Sequence, residues 1–188
     1  MNVLVLCTGN ICRSPAAEAM LRHRVEALDP DVRVRSAGLL DNGRPAHASS
    51  IDVLTGLGLD ITAHRSRRIT AAILRSADMI LGMARDHVRE AVVMAPEVFP
   101  KVFTLKELVR RGEEIGPRGP GESLADWLAR AHQGRTSADL MGTSDVDDVP
   151  DPIGMPRSAY ERMVEELAEQ LDRLVVLVWA RSHERSYQ

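Results

Sequence analysis

Cys7 and Arg13 stand six positions apart, with Thr8, Gly9, Asn10, Ile11 and Cys12 between them and Ser14-Pro15 following. The apolar run Val3-Leu4-Val5-Leu6 precedes this stretch and reads as a buried parallel strand. Residues 16–28 follow it and read as a helix, with Ala17, Met20, Leu21, Val25 and Leu28 on one face. Ser14 is expected as the N-cap and Pro15 as the first helical residue. A turn from strand to helix aims free backbone N–H groups at one point, where the helix dipole also favours an anion. A thiol would then lie beneath a bound phosphate and a guanidinium beside it. The N–H groups and Arg13 favour the thiolate, and a thiolate under phosphorus is a nucleophile for phosphoryl transfer.

Cysteine and arginine at this spacing are weak evidence alone. The whole run Cys-Thr-Gly-Asn-Ile-Cys-Arg-Ser-Pro, placed directly after a strand, resembles the phosphate loop of the low-molecular-weight protein tyrosine phosphatases. Further segments resemble that family in the same order: Ser36-Ala37-Gly38, His64-Arg65-Ser66-Arg67, residues 77–83 and 101–108, and Asp151-Pro152. The resemblance implies an α/β fold, a four-stranded parallel sheet with helices on both faces and the phosphate loop after the first strand. It also implies hydrolysis of phosphomonoesters on proteins, chiefly phosphotyrosine, through a cysteinyl-phosphate, with no cofactor.

The implied roles are specific. Cys7 is the nucleophile, Arg13 the bidentate phosphate clamp, and residues Thr8 to Ser14 form the phosphate-binding loop. Ser14 hydrogen-bonds Cys7, Asn10 holds the loop in its strained shape, and His64 buttresses Asn10. A carboxylic acid must protonate the leaving oxygen and then activate water. Family members carry it in an Asp-Pro pair before the last helix, which here is Asp151-Pro152. Asp148 is the fallback within the acidic stretch of Asp145, Asp147, Asp148 and Asp151.

Two departures bear on substrate. Family members acting on phosphotyrosine usually have aromatics after the Asp-Pro pair and in the loop after the second strand. Ile153-Gly154 and Leu39-Leu40 occupy those places. Asp-Pro-x-Gly and residues 101–109 look more like the protein-arginine-phosphatase branch, which usually has threonine where Ile11 stands. Ile11 is expected at the pocket mouth, against an aryl ring. A thiol-dependent arsenate reductase is a further alternative, although only Cys7 and Cys12 are present to relay a disulfide. A non-catalytic phosphate-binding module is a fourth, yet Cys7, Arg13 and an acid are all retained. A dinucleotide-binding domain is disfavoured, because no Gly-x-Gly-x-x-Gly is present.

The chain has 188 residues and a net charge of −3, which suits one domain and argues against a general nucleic-acid binder. No run is long enough to span a membrane, the N-terminus enters a strand directly, and no zinc-ligand spacing occurs. A working thiol fits a reducing, cytoplasmic setting.

Strands are expected at 32–37, 77–83 and 102–105. Helices are expected at 48–57, with Ile51, Leu54 and Leu57 buried and Gly58 at its end, at 70–76 and 84–94, with a helical turn at 106–111. Strand–helix alternation without hairpin signals predicts a parallel sheet, whose ligands bind at the carboxyl ends of strands. Residues 1–188 thus read as a single domain with an inserted linker and short helix at about 112–147. Ser123 to Asp126 is a capping box opening that helix, and Trp127 either anchors it or forms a substrate wall. Residues 134–142 read as loop. Ser158 opens a second capping box and a long last helix with Tyr160, Met163, Val164, Leu167, Leu171, Leu174, Val175 and Val178 inward. The polar tail from Arg181 is expected to fray.

Overall fold

The computed structural model describes residues 1–141 and 145–179, so the tail from Arg181 lies outside the described residues. The apolar run after Asn2 forms β1 (Asn2–Cys7) at the centre of the sheet. β2 (Arg33–Gly38) and β3 (Met79–Gly82) flank it, and β4 (Val102–Thr104) joins β3. All three pairings are parallel, in the order β2-β1-β3-β4. β1 is apolar at every inner position because it is covered on both faces. Val3 and Val5 enter one apolar cluster, Leu4 and Leu6 the other.

Seven α-helices accompany the strands among the described residues: α1 (Arg13–Val25), α2 (Ala48–Thr55), α3 (Ala71–Ser76), α4 (Arg85–Met94), α5 (Leu105–Ile115), α6 (Leu124–His132) and α7 (Arg157–Val178). Helices α1, α5, α6 and α7 pack with Val3, Val5, Leu81 and Phe103 on one face. Residues of α3 and α4 pack with Leu4, Leu6 and Ile80 on the other. The chain leaves β1 for β2 on one side and later returns for β3 on the other. The crevice at the carboxyl end of β1 is therefore a topological switch point, where open parallel sheets bind ligands. Among the described residues, no helix is long and apolar enough to cross a membrane.

Several local expectations are corrected. α1 begins at Arg13 with Cys12 as its N-cap, so Ser14 and Pro15 lie inside the first turn. Ser14 does not cap because its hydroxyl is engaged by Cys7 and Asn10. α7 begins at Arg157 behind Pro156, so Ser158 is within the helix and caps nothing. α2 stops at Thr55, a turn through Gly58 (φ 75°) follows, and Leu57 is left 58% exposed. α5 runs well past Arg111, because Leu105, Leu108, Val109 and Gly112 keep a buried face to the next turn. Short 3₁₀ turns form at Pro96–Lys101 and at Ser137–Leu140, the latter within the stretch expected as loop.

Ser123 does cap α6, its hydroxyl accepting the Asp126 N–H at 3.1 Å, but the box is half-formed: Asp126 Oδ2 accepts the Ser123 hydroxyl at 2.7 Å and not the Ser123 backbone N–H. Trp127 is fully buried, and its indole N–H donates to the Gly116 carbonyl at 3.0 Å. A Cβ on Gly112 would lie 3.0 Å from the indole ring, so α5 and α6 meet there without a side chain between them. Of its two expected roles, Trp127 anchors α6 to the core.

Candidate active site

The loop after β1 is held by one strained residue. Asn10 has φ 51°, the only positive φ outside glycine among the described residues. Asparagine tolerates that conformation better than most residues, but it must be held there. Its Oδ1 accepts the Arg67 N–H at 2.9 Å, which fixes the amide orientation. Its Nδ2 then donates to Ser14 Oγ at 2.9 Å and to Ser36 Oγ at 2.8 Å. His64 Nε2 lies 2.7 Å from the Asn10 carbonyl. Gly38 makes the fit possible, since a Cβ there would come within 2.8 Å of the Thr8 carbonyl and 2.9 Å of Asn10 N.

These bonds have a direction. Ser36 accepts from Asn10, so its own hydroxyl donates to Glu18 Oε2 at 2.6 Å. Ser14 likewise accepts from Asn10, and its hydroxyl lies 2.9 Å from Cys7 Sγ, where either atom can donate. The Asn10 N–H also points at that sulfur, at 3.2 Å. Cys7 is buried at the end of β1, with the Asn10 N–H aimed at its sulfur and the Ser14 hydroxyl within hydrogen-bond reach at the start of a helix.

Arg13, also buried, donates to the Val149 carbonyl at 3.2 Å, to Thr8 Oγ1 at 3.3 Å and to the carboxylate of Asp151. The sequence places Asp151 138 residues beyond Arg13, and the structure joins them. The loop carrying Asp151 is secured at several points. The Val149 N–H donates to the Met83 carbonyl at 2.8 Å, Lys106 Nζ to the Asp148 carbonyl at 2.6 Å, and Arg110 pairs with Asp147 at 3.1 Å. Asp148 Oδ1 accepts the Arg85 N–H at 2.8 Å, capping α4, whose own N-cap Ala84 has no side-chain acceptor.

Burial pushes the Cys12 thiol up to about 11. Tyr160 stacks on His47 with ring centroids 5.0 Å apart. Ile11 is only 5% exposed and belongs to the main apolar cluster, so its side chain does not edge the mouth as expected. The exposed apolar residues at the site are Leu40 and Ile153, each about half exposed (48% and 49%). Leu40 is held by its N–H bond to the Thr8 carbonyl at 3.1 Å, and Ile153 by its N–H bond to Asp151 Oδ1 at 3.1 Å. Sequence reasoning passed over His87, whose Nε2 lies 3.0 Å from Thr8 Oγ1. A lone histidine on the buried side of an amphipathic helix carries no signal of such a contact. Among the described residues, no group of three or more metal-ligating side chains is arranged to hold an ion.

A thiol at the base of a strand–loop–helix phosphate cradle, with a buried guanidinium and a carboxylate across it, defines a cysteine-based phosphatase. The chain belongs to the low molecular weight phosphotyrosine protein phosphatase family, whose model matches residues 2–117. It is 38% identical over 137 residues to the low molecular weight protein-tyrosine-phosphatase Etp of Escherichia coli, covering 70% of this chain and 90% of that one. A solved low molecular weight protein tyrosine phosphatase from T. tengcongensis superposes with TM-score 0.69 at 34% identity, over 93% of this chain and 97% of that one. An arginine phosphatase from Geobacillus stearothermophilus gives TM-score 0.67 at 30% identity, over 92% and 89%. The family match ends before α6 and before Asp151.

Proposed function

We propose that this chain hydrolyses phosphomonoesters on proteins, with phosphotyrosine as its main substrate, through a phosphorylated Cys7. The observation that carries the reading is the buried Cys7 sulfur at the loop base, met by the Asn10 N–H and the Ser14 hydroxyl, with the buried Arg13 guanidinium closing the same loop. In the first step the Cys7 sulfur attacks phosphorus and the ester oxygen leaves with a proton from Asp151. Arg13 holds two phosphoryl oxygens and gains strength as charge builds on them. In the second step Asp151 takes a proton from water, water attacks the phosphocysteine, and Ser14 stabilises the departing thiolate. Asn10 and His64 keep the loop in shape for both steps. Thr8, Gly9, Ile11 and Cys12 complete the phosphate-binding loop.

Phosphotyrosine is supported by the half-exposed Leu40 and Ile153, apolar side chains whose backbones bond Thr8 and Asp151 and which could meet an aryl ring. The segment at about 112–147 is an insertion within a single domain, bound to it by Trp127. Two free, buried thiols suit a reducing cytoplasmic setting.

Parallel turnover of phosphotyrosine and phosphoarginine peptides by the purified protein tests the substrate. The expected result is a higher kcat/KM on phosphotyrosine. Faster turnover of phosphoarginine would overturn the substrate and leave the roles of Cys7, Arg13 and Asp151 intact. Loss of both activities in Cys7→Ser is expected in either case.

A further inference from the structure

His87 is 1% exposed, lies in the first turn of α4, and has no assigned role. Its place is set by the end of β3. A Cβ on Gly82 would lie 3.3 Å from His87 Cβ and 3.0 Å from Val88, so strand and helix are in close contact there. The Asp148 cap on Arg85 and the His87 N–H bond to the Ala84 carbonyl at 3.1 Å secure the same turn. The ring is thereby brought to the phosphate loop, 3.0 Å from Thr8 Oγ1.

Only one ring nitrogen is used. His87 Nδ1 is buried without a hydrogen-bond partner. An apolar side chain would pack in this position without that cost. The histidine is neutral, because burial and then the nearby Arg13 charge push it down to about 3. It therefore carries one N–H, and a buried N–H without an acceptor is rarer than a buried acceptor without a donor. The N–H belongs on Nε2, facing Thr8. Thr8 Oγ1 has two acceptor positions, and Arg13 Nη2 takes the other at 3.3 Å.

We infer that His87 is a positioning residue of the phosphate loop. Its ring N–H fills one acceptor site of Thr8 Oγ1, Arg13 fills the second, and the Thr8 hydroxyl hydrogen is left to donate to a phosphoryl oxygen held by Arg13. The inference rests on the loop being a phosphate site, as proposed above. It adds that Thr8 binds through its side chain and that a residue on α4 sets the direction of that bond.

The test measures inorganic phosphate affinity by titration calorimetry, and kcat/KM on an aryl phosphate, for His87→Leu, His87→Gln, Thr8→Val and the double variant Thr8→Val/His87→Leu. His87→Leu is expected to weaken phosphate binding and kcat/KM by about tenfold, the scale of one hydrogen bond to a charged group. His87→Gln, which keeps an N–H near the Nε2 position, should recover most of the loss. In the Thr8→Val background His87→Leu should cost nothing further, which a merely structural role would not produce. The imidazole nitrogen NMR shifts of His87 should report the Nε2–H tautomer.

Additive losses in the double variant, no rescue by glutamine in a folded protein, or an Nδ1–H tautomer would each overturn the inference. Should His87→Leu fail to fold, Thr8→Val decides, and wild-type phosphate affinity in that variant sinks the idea. A wild-type protein that binds phosphate but turns over no ester would refute the proposed function and leave this inference standing.

Discussion

Asp148 accepts the backbone N–H of Arg85 at 2.8 Å and caps α4 from 63 residues away. Asp151, in the same loop, pairs instead with Arg13 and is partly open to solvent. Two neighbouring carboxylates thus have different partners: one completes a helix, the other meets the arginine of the loop after β1.

Asp151→Ala is accordingly expected to lower kcat on phenyl phosphates by roughly 10²–10⁴. The loss should shrink as the leaving-group pKa falls, because a good leaving group needs no proton. Asp148→Ala should cost about 1 kcal/mol of stability, as loss of a cap does, with an effect on rate independent of the leaving group. A leaving-group series on both variants decides. Dependence in the Asp148 variant alone would reverse the assignment.

The two cysteines are expected to separate just as sharply. Cys7→Ser should abolish turnover while retaining the fold and phosphate binding. Cys12→Ser should keep much of the activity, since its buried thiol, pushed up to about 11, is protonated at neutral pH. Trapping of phosphoenzyme by rapid acid quench should find label on Cys7 only. Label on Cys12, or a lethal effect of Cys12→Ser in a folded protein, would mean the loop has been misassigned.

Trp127→Ala is expected to destabilise the protein by about 3 kcal/mol, as for a large buried aromatic, and to leave KM for aryl phosphates unchanged. Its indole is closed off by Gly112 and the Gly116 carbonyl, so it offers no surface to substrate. Denaturant unfolding with steady-state kinetics checks both parts. A raised KM without lost stability would restore Trp127 as a substrate wall.

The order of strands and helices was legible in the sequence; of the long-range contacts, those of Asp151 and His64 came only through the family resemblance. The loop from Cys7 to Ser14 could be read because strand end, cysteine, arginine and helix start follow one another closely in the chain. The sheet could be read because Val3–Leu6 and the residues around Ile80 are apolar without alternation. Ser14 has the residue type of a cap, but its hydroxyl is taken by Asn10 and Cys7, and capping statistics do not contain that competition. Ile11 was placed at the mouth, but its carbonyl accepts the His47 N–H at 2.8 Å and its side chain turns inward. The capping role of Asp148 and the contact of His87 with Thr8 depend on β3 and α4 closing over β1. No spacing rule links residues so far apart in the chain.

Burial of His87 also carries a consequence for stability against pH. Its folded pKa is depressed to about 3 from an ordinary 6.5, so the folded state holds the ring neutral. Above 6.5 neither state binds the proton, and the neutral ring's contribution is fully present. Below 6.5 the unfolded chain takes up a proton that the folded chain refuses until the pH nears 3. Stability therefore falls with decreasing pH, by about 1.4 kcal/mol per pH unit at most. From pH 7 to pH 5 wild type should lose about 2 kcal/mol more than His87→Gln, which has no titrating group at this position. Carboxylates titrate alike in both proteins, so their difference isolates the ring. Urea unfolding at the two pH values measures it. Equal losses would show that His87 is protonated in the folded protein, and a buried cation 3.0 Å from Thr8, close to Arg13, would contradict the neutral tautomer assigned to it.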